Sequence, residues 1–248
     1  MLPSPASVLA RSGKPAYAPV VPNDERKETD DVSGAAEAAH VAGEEEADDA
    51  VPTPATEGEP EADPDAIADA PSRVAELAAA CVRFVSQRYG IMPDFTPETL
   101  SLVDQWVRDA RKDLTERPEL EALVTSAAGG YLGEVIRRAF GARWFCEGDE
   151  DGWRLYLSSV YCAFNPIGMV REALLLEEAE GWHAHFELDP GEREGIEARL
   201  AALPEVPDDE YYAPSTRFDV VNIVVDALRE DMRGRGLGDV RFTPEDYD

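Results

Sequence analysis

Residues 129–147 read GGYLGEVIRRAFGARWFCE, and the fold turns on where the helical period in this stretch gives way to a strand period. Upstream of Gly141, apolar side chains recur at helical spacing at Leu120, Leu123, Val124, Ala127, Tyr131, Val135 and Phe140, which predicts a helix that begins at Pro118. Gly141 ends it, because glycine enters the left-handed conformation of a helix terminus without steric cost. Beyond it come residues 143–147, the acidic turn Gly148-Asp149-Glu150-Asp151-Gly152, and the aromatic, β-branched run 153–164. Together they predict an antiparallel hairpin. Gly129, Gly130 and Gly133 lie inside the helix, and each costs about 0.5–1 kcal/mol relative to alanine. Such losses imply close approach of a neighbouring helix or of the sheet to the bared backbone. A kink, or a ligand lying on that backbone, is the other reading.

Outward from this stretch the pattern alternates between helix and strand. Towards the N-terminus, Val74, Leu77, Ala78, Cys81, Phe84 and Val85 define a helix with Ser72 as its cap and Gly90 as its stop. A second helix starts at Thr96 and Pro97 and carries Leu100, Val103, Val107, Ala110 and Leu114 on one stripe. Towards the C-terminus, Asn165 and Pro166 open a fourth helix expected to close at Gly181. Residues 182–188 alternate strictly, with Trp182, Ala184, Phe186 and Leu188 on one face and His183, His185 and Glu187 on the other, so they read as a third strand. A fifth helix from Asp189 and Pro190, a proline-bounded acidic loop over 204–214 and a last helix over 215–232 follow, with a further short strand expected at 240–242. The predicted class is α+β, with helices packed on a small antiparallel sheet of three or four strands.

The segment GGYLGEVIRRAFGARW (129–144), with YGIMPDFTPETLSLVDQWV (89–107) ahead of it and a hairpin and Asn-Pro helix behind, resembles uncharacterised bacterial domains of unknown function. Those domains share an aromatic-x-Gly-Glu helix followed by Gly-x-Arg-Trp. The resemblance covers about residues 73–176 and carries over Tyr131, Gly133, Glu134, Gly141, Arg143 and Trp144 as family-type positions. It speaks to fold and says almost nothing about catalysis.

The chain has 248 residues with 52 acidic and 23 basic side chains, a net charge of -29. That balance opposes the phosphate contacts on which nucleic-acid affinity rests and opposes binding to an anionic membrane. No window of apolar residues is long enough for a membrane span, and the first residues lack a signal-peptide core. Cys81, Cys146 and Cys162 are too few for a disulfide scaffold and read as reduced residues of a cytoplasmic protein. Residues 1–71 hold 17 acidic and 4 basic groups and a single aromatic, Tyr17, so they read as a disordered acidic tail on one globular domain spanning 72–248. Ahead of the acidic run, Val8, Leu9 and Arg11 form a small apolar and basic patch, either a short docking motif or an unremarkable end.

Four groups of residues are candidates for chemistry or binding. Tyr131, Glu134, Arg137 and Arg138 share a helix face at spacings of three and four, which suits a buried base or a surface ion pair. His183, His185 and Glu187 lie two residues apart on a strand face and would support a metal-assisted hydrolase if further carboxylates joined them; a solvated strand face is the alternative. Cys146 or Cys162 would need a stabilised thiolate to act as a nucleophile. Tyr211 and Tyr212 in the acidic DDEYY stretch, with exposed members of Trp106, Trp144, Trp153 and Trp182, are candidate anchors for a partner protein. No phosphate-binding loop, dinucleotide fingerprint, zinc-protease helix or nucleophile elbow occurs. The sequence therefore points to a non-catalytic protein-interaction module without a cofactor, an adaptor or an inhibitor of immunity type. It would act on a basic protein partner through its acidic surface, with Tyr211, Tyr212, Tyr131, Glu134 and Arg143 as binding positions.

Overall fold

The computed structural model describes residues 69–247, and the expected tail lies outside the described residues except for its last three. Among these residues are seven α-helices and one four-stranded antiparallel sheet. Helix α3 (Leu120–Phe140) is the axis of the fold and is buried along most of its length. Helices α1 (Ser72–Tyr89) and α4 (Pro166–Leu175) close on it where its glycines lie. A Cβ on Gly130 would stand 2.9 Å from Leu77 Cβ in α1, and one on Gly129 would stand 2.4 Å from Ile167 Cα in α4. The close-approach reading of the glycines therefore holds. Their propensity cost is small against the burial of Leu132, Val135 and Ile136 around them, each contributing about 1.5–3 kcal/mol.

Gly90 and Gly141 end α1 and α3 at φ of 71° and 70°, as their sequence positions predict. The expected caps differ. Ser72 is already helical behind Pro71, and α2 (Leu100–Asp113) is preceded by a short 3₁₀ turn, Pro97–Thr99. Asp94 organises that turn by accepting from Thr96 N at 3.1 Å and Thr96 Oγ1 at 2.7 Å.

The sheet has the order β1 (Ala142–Phe145), β2 (Arg154–Leu157), β3 (Cys162–Phe164), β4 (Glu187–Leu188), with each neighbouring pair antiparallel. The arm expected over 153–164 is thus two strands, broken at residues 158–161. Tyr247 explains the break: its hydroxyl accepts from Cys162 N at 2.9 Å and lies 3.0 Å from Leu157 O and 3.1 Å from Val160 O, so a side chain from far along the chain satisfies the reversing backbone. The expected strand at 240–242 does not form; Phe242 N instead donates to Ser158 O at 2.8 Å, outside the ladder.

Two further corrections fall between α4 and the C-terminus. Helix α4 ends at Leu176, whose φ of 57° closes it well before Gly181. The strand expected over 182–188 shortens to β4, because His183 takes a φ of 50° and its carbonyl accepts from Asn165 N at 2.8 Å. The alternation still reports burial, since Ala184, Phe186 and Leu188 are all buried. Helix α5 (Pro190–Ala201) follows, then α6 (Asp208–Tyr211) inside the expected acidic loop, then α7 (Pro214–Gly234). No helix among the described residues is long and apolar enough to cross a membrane.

Candidate functional site

Glu134 sits on the α3 face that receives β1. A Cβ on Gly133 would stand 2.0 Å from Trp144 Cζ2, so the missing side chain is what lets the indole lie against the helix. There Trp144 Nε1 donates to Glu134 Oε1 at 3.0 Å, while Arg137 forks onto the same carboxylate from Nε at 2.8 Å and Nη2 at 2.9 Å. Arg138 approaches from the solvent side at 3.8 Å. Both Glu134 and Arg137 are buried. One turn back, Phe95 N donates to the Tyr131 hydroxyl at 2.9 Å, the phenol lies 2.7 Å from Thr99 Oγ1, and the two rings stack at 4.8 Å. These contacts hold Phe95 in the left-handed region at φ 66°, with Arg138 over its outer face at 4.0 Å. Tyr131, Glu134 and Trp144 fasten the helix to the hairpin and to the α1–α2 connection. Arg143, one residue before the indole on β1, is exposed and separate from this cluster.

A second buried carboxylate escaped the sequence reading. Glu172 of α4 accepts from Arg217 Nη2 of α7 at 2.7 Å, and both side chains are almost wholly buried. His185 Nε2 lies 3.3 Å from the other oxygen of Glu172, which also accepts from Ala179 N at 3.3 Å. Arg217 Nε and Nη1 make no hydrogen bond; the guanidinium instead lies against the rings of Tyr211 at 4.7 Å and Tyr212 at 5.0 Å. The tyrosines expected as an exposed anchor are therefore buried. The acids of DDEYY occupy the first turn of α6, where the helix dipole favours them, and the tyrosines turn inward onto Arg217. Burial, with Glu172 next, pushes the Tyr212 phenol up to about 12.

The histidines do not act as a row. His185 turns to Glu172, whereas desolvation and then Arg154 hold the imidazole of His183 below its usual value. Glu187 is half-buried in β4 opposite Ala163. Among the described residues, no three His, Cys, Asp or Glu side chains are placed to hold a metal ion. Burial raises the thiols of Cys81 and Cys162 far above the ordinary range and pushes Cys146 up to about 11, the opposite of what a nucleophile needs. Of the tryptophans, Trp106 and Trp153 are buried, and Trp144 and Trp182 are half-buried, so none is an exposed anchor.

The recess of note lies elsewhere, in a groove of about 350 Å³ where the end of α1, the end of α2 and the start of α3 meet. Phe84 and Trp106, stacked at 5.7 Å, lie on one side, and Leu120, Leu123 and Val124 lie on the other. Leu123 is 41% exposed. Arg88, Asp109, Asp113 and Arg117 add charged groups to the lining. Arg88, Lys112 and the Tyr89 hydroxyl all engage Asp109, whose carboxyl is pulled down to about 2, chiefly by the Lys112 hydrogen bond. Among the described residues, Asp113 enters no ion pair. Sequence reading had assigned Phe84 to a buried stripe and Leu120 and Leu123 to another; only the meeting of three helices leaves them lining a recess.

The groove and the Glu134 cluster both fall in the part of the chain with recognisable relatives. Residues 51–156 match DUF6278, a family of unknown function. This bears out the likeness to a domain of unknown function through Tyr156. Neither the curated proteins nor the solved structures give a match.

Proposed function

We propose that this chain is a non-catalytic protein-interaction module of the cytoplasm, an adaptor or an inhibitor of immunity type, whose docking surface is the α1–α2–α3 groove. The observation that carries the reading is the groove itself: an aromatic and aliphatic recess with an exposed Leu123 on one side. Supporting it, Glu134 and Glu172 are each engaged by structural partners, and burial holds the thiols protonated. The net charge of -29 favours a basic partner, while the lining itself balances Arg88 and Arg117 against Asp109 and Asp113 and selects chiefly for apolar side chains.

Quantitative affinity capture with the full chain tests this. Wild type, L123D and D226K, a variant at an exposed residue that does not line the groove, serve as baits, each checked for native circular dichroism. Polypeptides captured by wild type and D226K are lost with L123D. Capture that is indifferent to L123D would remove the groove from the account.

A further inference from the structure

We infer that the occupant of the groove in the free protein is a second copy of this chain, with Ile91 and Met92 of each copy seated in the groove of the other. This rests on the docking reading above and names a partner for the same site. Among the described residues, the large apolar side chains left exposed are Ile91 at 53%, Met92 at 73%, Leu123 at 41% and Phe145 at 36%. The first three adjoin one recess. Leu123 lines it, and Ile91 and Met92 follow the lining residue Arg88 by three and four positions. Tyr89 ties this stretch to the groove wall, since its hydroxyl donates to Asp109 at 3.0 Å. Ile91 stands only two residues beyond it, at most about 8 Å of chain.

The fold presents the apolar pair instead of burying it. Gly90 turns the chain out of α1 at φ 71°, Pro93 is buried, Asp94 accepts from Thr96 N, and Phe95 is stacked on Tyr131. Ile91 and Met92 thus sit on a bridge fastened at both ends, so little ordering entropy opposes their insertion. The unbranched, polarisable Met92 suits an irregular recess walled by Phe84, Trp106 and Leu120. Charge decides where two copies can approach. A net charge of -29 drives them apart over most of their surfaces. The groove lining, by contrast, sets two cations, Arg88 and Arg117, against two carboxylates, Asp109 and Asp113. It is neutral and self-complementary, so a two-fold axis can set a cation of one copy against a carboxylate of the other. A patch that holds both the protruding pair and the recess meets the requirement of an isologous contact, which closes at two copies. A different partner would bind by displacing one copy.

Sedimentation velocity of the full chain from low to high micromolar concentration tests this, with native circular dichroism as the check on each variant. Wild type passes from monomer to dimer and no further. M92K and L123D, both at exposed positions, each weaken that association at least about ten-fold. Mixed together, M92K and L123D associate more tightly than either does alone, because one native contact survives and the other sets an ammonium against a carboxylate. A general loss of stability does not produce such a rescue. A wild type that stays monomeric throughout, association indifferent to M92K or L123D, growth beyond two copies, or a mixture no tighter than its components would overturn the inference. The capture experiment separates the two ideas. Partners lost with L123D beside a monomeric wild type leave the groove a docking site that no second copy fills, whereas a dimer lost with M92K and L123D beside capture indifferent to L123D leaves it a self-contact alone.

Discussion

Glu134 and Glu172 are both buried carboxylates held by an arginine, and the contrast between them shows what a sequence can disclose. Glu134 takes its arginine from three residues ahead on the same helix and its indole donor from the strand that follows, so spacing alone suggests the group. Glu172 takes its arginine from 45 residues away, and the tyrosines that flank that arginine come from a third helix. Glu134 lies within residues 51–156, the family-matched region, and Glu172 lies outside it. The first cluster fastens neighbours in the chain, and the second closes the C-terminal helices onto the core.

The largest effect that would sharpen this contrast is at Glu172. E172Q leaves Arg217 as a buried charge with no carboxylate, and an unfolding titration in urea should show a loss of about 3–5 kcal/mol. The double variant E172M/R217M should recover much of it, because two apolar side chains of similar volume need no pairing. E134Q should cost less, about 1–3 kcal/mol, since its amide oxygen still accepts from Trp144 and the arginines lie nearer to water. Equal losses for E172Q and E134Q would break the comparison.

Much of the fold was legible for the same local reason. Helix α3, its glycine stop, the first hairpin turn and the Asn165 cap depend on residues near in sequence, and all appear where the pattern places them. What was hidden depends on distant partners. Tyr247 splits one expected strand into two, His183 leaves the strand conformation to meet Asn165, and Tyr211 and Tyr212 turn inward because Arg217 is there to receive them. A local signal for Glu172 did exist. It is a lone acid among Met169, Val170, Ala173 and Leu174, which by itself marks a buried charge in need of a partner.

A smaller effect should appear at high pH. The Tyr212 phenol titrates near 12 in the folded chain against 10 for an ordinary tyrosine, so its favourable contribution is present below pH 10 and is lost as pH rises towards 12. Y212F should therefore lose less stability than wild type between pH 10 and 12, measured by thermal melts across that window. An identical alkaline loss would place the phenol in water. The smallest expected change is none: zinc or manganese added to the full chain should leave its melting temperature unmoved, whereas a rise would show that His183, His185 and Glu187 can turn towards one ion.

The central claim is that the α1–α2–α3 groove touches polypeptide. A benzophenone side chain placed at Leu123 in the full chain, with a matched copy at Asp226, reads this directly on irradiation. The account predicts peptide adducts from a partner protein at position 123 and none at 226. Adducts absent from 123, or equal at the two positions, would contradict it.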